Sequence, residues 1–279
     1  MQQYDIDLKG YLTRDSSGGK LLKFKVGDKF IKTSTIGQDM YSLQPKFLYE
    51  SYSEIIAYYI GKCLGYSMLK YSLCEVSILN NTSDLPDKAI ACVSKDFTLF
   101  GGQRYEYVSI AKLMLEGTIP FYPMQQISSY YSIIKEIYCV KDFQDYLNKQ
   151  ILLDYIIMND DRHLGNFGLL RNQANNTYKL PPIFDNGNSL FANKYIENLE
   201  YSTDSFRYIK SKPFHFDFET QIKLIDIKKY YKPKENIIKT VEKILSALVK
   251  DYGLPEQRAY FIDRTIKDRI HNLETTLYR

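Results

Sequence analysis

The chain of 279 residues has no tryptophan and no apolar run long enough to cross a membrane. Its longest stretch without a charged residue, 117–134, contains two prolines, two glutamines and several serines. A transmembrane helix needs about 20 consecutive, predominantly apolar residues, and this stretch does not meet that requirement. We therefore expect no membrane partner.

Cysteine is also scarce. The four cysteines show neither a CxxC motif nor any other spacing typical of metal ligands: Cys63, Cys74, Cys92 and Cys139. They are typical of reduced thiols in a cytosolic protein. The N-terminus lacks the basic-then-apolar pattern of a signal peptide. We expect a cytoplasmic protein, and secretion or translocation as an effector by a route without a cleaved signal stays open.

An excess of one charge is missing as well, because 37 Lys and Arg residues face 33 Asp and Glu residues, a net charge of +4. This balance is too even to indicate nucleic-acid binding, so we expect none. Apolar residues make up 44% of the chain, which is ordinary for a globular protein. The length allows one large domain or two lobes.

The first hundred residues are rich in segments of strand-like composition: 21–26, 29–33, 71–79 and 88–97. The turn dipeptide Gly27-Asp28 lies between the first two segments and predicts a β-hairpin. From about Glu50, apolar residues recur every four positions and predict a helix. Gly65 is expected to end this helix as a C-terminal cap.

The rest of the chain carries mostly helical periodicity, in the segments 131–138, 143–158, 237–249 and 255–277. A short β-like patch at 167–184 is the exception. A small strand-rich lobe followed by a larger helical lobe predicts a two-lobed α+β fold. We place the N-lobe at residues 1–97 and the C-lobe at residues 98–279.

The stretch NDDRHLGNFGLL, residues 159–170, places Asn166 five positions after Asp161. Loops that catalyse phosphoryl transfer use this spacing: the aspartate accepts the proton of the attacking hydroxyl, and the asparagine ligates magnesium. Both side chains must point into one cleft, which a short irregular loop allows. The pattern on its own arises often by chance and favours an ordinary polar loop.

A second motif, IFDNG at 183–187, places Asp185 nineteen residues after Asn166. An apolar pair followed by Asp-x-Gly is typical of an aspartate that bridges magnesium to the β- and γ-phosphates, and Gly187 would let the chain turn sharply away. The segment between the motifs predicts a hairpin that returns the chain to the same cleft. A lone DNG is simply a turn, but the two motifs in this order favour a functional site.

A nucleotide site also needs a cation for the α- and β-phosphates and an acid that positions it. Lys32 follows an apolar pair near a strand end and can face the cleft, with Lys25 and Lys29 as rivals. In the first helix, Glu54 is the candidate acid and Glu50 is its rival one turn earlier. The alternative is that these residues are solvated surface charges.

Small residues precede the predicted hairpin: Ser16, Ser17, Gly18 and Gly19. Their backbone N–H groups could approach phosphate oxygens, because small side chains leave the backbone accessible. The stretch fits neither the Walker A pattern nor GxGxxG, and a flexible turn is an equal alternative.

His163, two residues after Asp161, is a further member of the candidate catalytic loop. As a general base it would compete with an aspartate that already fits that role. We expect instead that His163 makes a hydrogen bond that fixes the loop next to Asp185. Asp160 is expected to support the same loop.

These stretches resemble a known family. NDDRHLGNFGLL followed by LPPIFDNG is similar to the catalytic core of HipA-type serine/threonine kinases, which resemble phosphatidylinositol kinases in placing a histidine after the catalytic aspartate. The strand FIK, the helix ESYSEIIAYYIGKCLG and the stretches SKPF and RAYFIDRTIKDRIHNL are similar to the same family. The resemblance covers about residues 15–279, and its specific part is the two catalytic-loop motifs.

The resemblance implies a two-lobed, protein-kinase-like fold and an enzyme that uses ATP and Mg²⁺ to phosphorylate a protein. It implies these roles: Asp161 as catalytic base, Asn166 and Asp185 as magnesium ligands, Lys32 as the ATP lysine, and Ser16 or Ser17 as autophosphorylation site. Full-length HipA toxins carry a further N-terminal subdomain, so this chain resembles the compact branch that consists of the kinase domain. An antitoxin-type partner therefore stays open.

Two other functions remain alternatives. A small-molecule or lipid kinase would use the same Asp-Asn-Asp triad for a different hydroxyl acceptor. A non-catalytic binding module of the same fold would have no need of the intact triad. The absence of a polybasic run or an amphipathic anchor disfavours a lipid substrate.

Overall fold

The computed structural model describes residues 2–7, 22–38, 44–79, 86–120, 127–196, 201, 209–213 and 216–277. The strands are β1 (Gln2–Asp7), β2 (Lys23–Val26), β3 (Lys29–Thr33), β4 (Ile36–Gln38), β5 (Pro45–Phe47), β6 (Tyr71–Leu79), β7 (Lys88–Lys95), β8 (Leu99–Phe100), β9 (Gln103–Arg104), β10 (Glu106–Ser109), β11 (Gly168–Asn172), β12 (Thr177–Lys179), β13 (Lys210–Ser211) and β14 (Phe216–Asp217). The helices are α1 (Glu50–Cys63), α2 (Ile110–Leu115), α3 (Ile127–Tyr138), α4 (Phe143–Ile157), α5 (Phe218–Ile222), α6 (Ile227–Tyr230), α7 (Ile237–Tyr252) and α8 (Glu256–Leu277).

The N-terminal part is built on a five-stranded sheet with the strand order β1-β6-β7-β3-β2. β1 runs parallel to β6, and the other neighbouring strands are antiparallel. The predicted hairpin is present, with Lys23 of β2 opposite Lys32 of β3. Gly27 in its turn has a φ of 60°, a left-handed conformation that favours glycine.

The alternation of side chains along β3 determines on which face of the sheet Lys32 lies. Ile31 is fully buried and packs with Phe24 and Val76 on one face of the sheet. Because successive side chains of a strand point to opposite faces, Lys32 lies on the other face. That face carries α1, and it is where the candidate acid of the helix is found.

Helix α1 packs between the sheet and the helical part of the protein, against β6, β7, α4 and α7. Its end confirms the predicted cap. Gly65 has a φ of 74°, its N–H donates to the carbonyl of Lys62 at 2.9 Å, and the N–H of Tyr66 donates to the carbonyl of Gly61 at 2.8 Å. These two bonds form a Schellman motif, in which glycine takes the left-handed position without steric cost.

Helix α4 is the core helix of the C-terminal part. Phe143, Leu152 and Ile156 have no exposed surface, and a helix that is apolar on nearly all sides is typical of a buried one. Helices α3, α5 and α8 pack around it, and α7 packs on α8 and α1. The C-terminal end of α4 delivers the chain directly into the loop that begins at Asn159.

The predicted helices and the β-like patch are all present, so the α+β prediction is confirmed. The turn expected around Asn80-Asn81 lies outside the described residues, and the lobe boundary at 97/98 stays a prediction. All four cysteines are free thiols, and three of them are buried. In the described ranges, no helix is both long and apolar enough to span a membrane.

A three-stranded sheet, β10-β11-β12, carries the chain away from the candidate catalytic loop. Gly168 begins β11 where it crosses β10 at very close range. A Cβ at this position would lie 2.2 Å from the carbonyl oxygen of Val108 and 2.6 Å from the Cα of Ser109. Both are backbone atoms that cannot swing aside, so this crossing requires glycine.

Glu106 holds this sheet to helix α2. Its carboxylate accepts hydrogen bonds from Lys112 at 2.5 Å, from the Nε of Arg171 at 3.1 Å and from Gln173 at 3.0 Å. The hydrogen bonds from Lys112 and Arg171 are the main reason that the pKa of Glu106 is lowered to about 2. Glu106 therefore remains ionised far below the pH at which a free glutamate takes up a proton.

We expect Glu106→Gln to lower the free energy of unfolding by about 1 kcal/mol at pH 7, because three donors lose an ionic partner. A lowered pKa stabilises the fold above the ordinary glutamate pKa, and this contribution is lost as the pH falls towards about 2. Urea denaturation from pH 7 to pH 2 measures the difference. The control is Glu116→Gln, an exposed residue 3.8 Å from the same lysine, for which we expect almost no effect. Equal stability of the Glu106 variant and wild type at pH 7 would refute this role.

Candidate active site

The loop after α4 presents Asp161 to solvent and holds Asn166 inside. The Asp161 side chain is 33% exposed, and its Oδ1 lies 2.6 Å from the Nζ of Lys212. Asn166 is buried, and its Nδ2 donates to the carbonyl oxygen of Asp161 at 3.3 Å. This bond occupies the amide nitrogen of Asn166 and leaves its Oδ1 to act as a ligand.

Asp185 lies at the floor of the cleft and takes a left-handed backbone conformation, with a φ of 57°. Aspartate tolerates this region better than most residues. Within the IFDNG motif, the positive φ lies at Asp185 and not at Gly187. Gly187 instead makes room for α1: a Cβ there would lie 3.1 Å from the Cβ of Glu50 and 3.4 Å from Oε1 of Glu54.

Lys32 joins Asp185 to helix α1. Its Nζ lies 2.6 Å from Oδ1 of Asp185 and 3.5 Å from Oε1 of Glu54, whose side chain is fully buried. Burial lowers the pKa of Lys32, but the carboxylates of Asp185 and Glu54 outweigh it and hold the pKa above its usual value. Burial also raises the pKa of Asp185, and the nearby Lys32 ammonium reverses that effect and lowers it. Lys32 and Asp185 therefore face each other as a charged pair.

The rival residues have other partners, although Lys25 lines the same cleft. Lys25 pairs with Asp96 at 2.7 Å, on the strand beside the cleft. Glu50 accepts a hydrogen bond from the backbone N–H of Thr35 at 3.2 Å. Lys29 lies at the start of β3, opposite Lys95 of β7. In the described part of the chain, the geometry favours Lys32 and Glu54 over these alternatives.

Arg162 is a residue of the candidate site that the motif spacing did not mark. It is buried, and its Nε and Nη2 bind both carboxylate oxygens of Asp154 in α4 at 3.0 and 2.9 Å. Its Nη1 donates to the carbonyl of Phe184 at 2.7 Å, and its Nη2 donates to Oδ1 of Asn186 at 2.5 Å. One guanidinium thus fastens the catalytic loop to α4 and to the segment that holds Asp185. An acid inside an apolar helix, eight residues before an arginine, was the available signal in the sequence.

His163 has the structural role expected of it only within the loop. Its Nδ1 accepts a hydrogen bond from the N–H of Gly165 at 3.1 Å, which shapes the loop internally. The hydrogen bonds that fix the loop beside Asp185 come from Arg162 instead. The carboxylate of Asp160 lies 3.2 Å from the ammonium of Lys194, which ties the loop to the segment after Asp185.

Above Lys32 and Asp185 is a cavity of about 490 Å³. Phe97, Tyr107 and Phe184 form an aromatic wall, with ring centroids 4.8 to 5.8 Å apart. The remaining lining includes four cations: Lys23, Lys25, Lys32 and Arg104. An aromatic wall beside a cationic floor suits a planar base that carries phosphates.

The donor set fits a magnesium ion shared with phosphates. Within the described ranges there is no cluster of three or more His, Cys, Asp or Glu residues that could hold a metal by itself. Mg²⁺ is commonly held by one or two protein oxygens together with substrate phosphates and water. Asp185 and Asn166 each carry a side-chain oxygen of this kind. The stretch containing Ser16, Ser17, Gly18 and Gly19 lies outside the described residues, so its role stays a prediction.

No protein-family model and no curated protein matches this chain. Among solved structures, the Helicobacter pylori proinflammatory kinase CtkA is similar with a TM-score of 0.61 and 18% identity, over 96% of this chain and 95% of CtkA. HipA from Shewanella oneidensis, solved with HipB and operator DNA, has a TM-score of 0.48 and 12% identity over 93% of this chain and 64% of HipA. The Golgi casein kinase has a TM-score of 0.45 and 14% identity, over 93% and 71%. The likeness to CtkA shows the kinase fold over nearly the whole chain and confirms, for the fold, the resemblance seen in the motifs.

We expect Arg162→Met to lower the free energy of unfolding by about 3–5 kcal/mol, because it leaves the Asp154 carboxylate buried without its cation. Urea denaturation followed by circular dichroism measures this loss. The double variant Arg162→Met/Asp154→Asn removes both charges and should be more stable than the single variant. A single variant as stable as wild type would show that the buried pair does not hold the site together.

Proposed function

We propose that this protein is a Mg-ATP-dependent serine/threonine protein kinase. The observation that carries the proposal is the 2.6 Å ion pair between Lys32 and Asp185, which joins residues 153 positions apart at the floor of an aromatic-walled cleft. The loop that bears Asp161 is fastened to the same segment through Arg162. A cation and a carboxylate of the kinds that phosphoryl transfer requires are thus in contact, and the candidate base lies on a loop joined to the same segment.

In this function, Lys32 binds the α- and β-phosphates, and Glu54 holds the ammonium in place from the buried face of α1. The wall formed by Phe97, Tyr107 and Phe184 receives the base. Because Lys32 stays charged in the cleft, it offers a full ion pair to phosphate. The cleft therefore binds the nucleotide at both of its ends.

Asp185 and Asn166 would hold the magnesium ion. Bound there, magnesium would neutralise the β- and γ-phosphate oxygens and shield the charge that develops during transfer. The left-handed backbone of Asp185 and the hydrogen bond of Asn166 within its own loop hold these two residues in place before magnesium binds. Such preorganisation is how a site stabilises developing charge at low cost.

Asp161 orients the acceptor hydroxyl and takes its proton. As the hydroxyl oxygen bonds to the γ-phosphorus, the bond from that phosphorus to the β-phosphate oxygen breaks and ADP leaves. Asp161 suits a bulky acceptor, because its side chain is partly exposed rather than enclosed. The Helicobacter pylori protein that shares this fold over its whole length is itself a kinase.

The test is the mass of the purified protein after incubation with Mg-ATP, beside Asp161→Asn. We expect phosphate on the wild-type protein alone, because asparagine cannot accept the hydroxyl proton, and mapping should place it on Ser16 or Ser17. Transfer from labelled ATP to generic protein acceptors, compared with lipid vesicles and small alcohols, then identifies the acceptor class. Failure of the wild-type protein to bind or turn over ATP with magnesium would overturn the proposal. Labelling of lipids or small alcohols alone would favour a lipid or small-molecule kinase.

The ATP lysine has its own test. We expect Lys32→Ala to weaken Mg-ATP binding at least about tenfold, since it removes a hydrogen bond between charged groups worth about 1.5–3 kcal/mol. Isothermal titration calorimetry measures the dissociation constant. Lys29→Ala is the matched control on the same strand and should bind as wild type does. If Lys29→Ala weakened binding and Lys32→Ala did not, the assignment of Lys32 would be wrong.

A further inference from the structure

Lys212, which lies in the stretch SKPF and outside the two catalytic-loop motifs, is beside the candidate base. It follows strand β13 directly, and β13 pairs with β14 to form a small hairpin, with Ser211 opposite Phe216. Helix α5 begins immediately after β14, capped by Asp217, and packs on α4. The hairpin is therefore anchored to the same core helix that carries the catalytic loop.

Two hydrogen bonds hold this hairpin against the loop, and a third ties it to helix α5. Buried Ser211 donates through its Oγ to the carbonyl of Asn159 at 3.2 Å. The N–H of Lys212 donates to the carbonyl of Asp160 at 3.1 Å. Gln221 of α5 donates to the carbonyl of Ser211 at 2.8 Å. The position from which the Lys212 side chain leaves the backbone is thus fixed relative to Asp161.

The Lys212 ammonium approaches the Asp161 carboxylate from its solvent-exposed side. The Nζ of Lys212 lies 2.6 Å from Oδ1 of Asp161, and the two side chains are 47% and 33% exposed. An ion pair this exposed contributes little to stability. Stability therefore does not explain why the hydrogen bonds of Ser211 and of the Lys212 backbone hold this ammonium beside Asp161.

The two other basic side chains of this loop, Arg162 and His163, make their hydrogen bonds with groups other than the Asp161 carboxylate. The guanidinium of Arg162 points into the buried network with Asp154, behind the loop. The Nδ1 of His163 is engaged with the N–H of Gly165. On the solvent side of Asp161, Lys212 is the cation that the structure places in contact with the carboxylate.

We propose that Lys212 is a catalytic cation of this site, which leaves Asp161 for the transferred phosphoryl group as transfer proceeds and neutralises charge on its oxygens. This inference rests on the proposed kinase function. Phosphoryl-transfer sites gain much of their rate from a cation aimed at that charge. Here the cation comes from a hairpin about fifty residues beyond the catalytic loop.

The position of Lys212 allows its ammonium to move from Asp161 to the phosphoryl group. An acceptor hydroxyl lies about 2.6–3.2 Å from its base, and the phosphoryl group lies on the far side of that hydroxyl. An ammonium that already touches the same carboxylate oxygen needs only rotations of its flexible side chain to reach the phosphoryl oxygens. When Lys212 leaves, Asp161 becomes free to take the hydroxyl proton. The two residues therefore act in one step.

The experiment compares Lys212→Met and Lys212→Arg with Lys210→Met, an exposed residue two positions away on the same hairpin. We expect Lys212→Met to lower kcat by about 10²–10³-fold, with KM for ATP nearly unchanged. Lys212→Arg should recover part of the rate, because it restores the charge. Lys210→Met should behave as wild type, and all three should unfold at the wild-type temperature.

Binding of a transition-state mimic gives a second readout that needs no turnover. Wild type should bind Mg-ADP with aluminium fluoride more tightly than Mg-ADP alone, and Lys212→Met should lose this gain while its Mg-ADP affinity is unchanged. Wild-type rate and wild-type aluminium fluoride binding in Lys212→Met would overturn this inference and leave the kinase function intact. Higher activity of Lys212→Met would also overturn it, since the pair would then be an inhibitory contact. A wild-type protein that binds no nucleotide would overturn the kinase function and this inference together.

Discussion

One buried guanidinium, that of Arg162, sets the geometry on which the candidate site depends. It binds a carboxylate of the core helix, the backbone before Asp185 and the side chain of Asn186. The N–H of Asn186 then donates to Glu54 at 2.9 Å, and Glu54 faces Lys32. The hydrogen bonds of Arg162 to Asp154, Phe184 and Asn186 offset the cost of removing its charge from water. The loop that bears Asp161, the segment of Asp185 and Lys32 are connected through these contacts.

The parts of the fold that depend on local chemistry were predictable from the sequence. The hairpin follows from alternating residues around Gly27, and the cap of α1 follows from Gly65 after a helical stripe. The spacing of Asp161, Asn166 and Asp185 also lies within one continuous stretch of chain. In each case the residues that decide the structure are near neighbours, and their pattern depends on the period of a helix, a strand or a turn.

The parts that depend on distant packing were not predictable in this way. Arg162 and His163 are adjacent, and nothing in their spacing says which one turns inward; the buried acid of α4 decides it. Lys212 reaches Asp161 through the register of a two-residue strand, too short to carry a periodic signal. The left-handed backbone lies at Asp185, and Gly187 is in tight contact with α1, which the motif alone does not reveal. In each case, residues that are distant in the sequence decide the structure, and a local pattern cannot reveal them.

The direct pairing of Lys32 with Asp185 gives each of these two charges an opposite charge at 2.6 Å, and Glu54 adds a second carboxylate 3.5 Å from the same ammonium. An anion that binds the Lys32 ammonium removes the cation from the Asp185 carboxylate. A cation that binds the Asp185 carboxylate likewise removes the anion from Lys32. Either ligand alone must therefore separate a charge pair in a sheltered place, which is costly. A divalent cation and a phosphate chain that arrive together give both residues a new partner of opposite charge at the same time. If they bind here as proposed, each favours the binding of the other by the same amount.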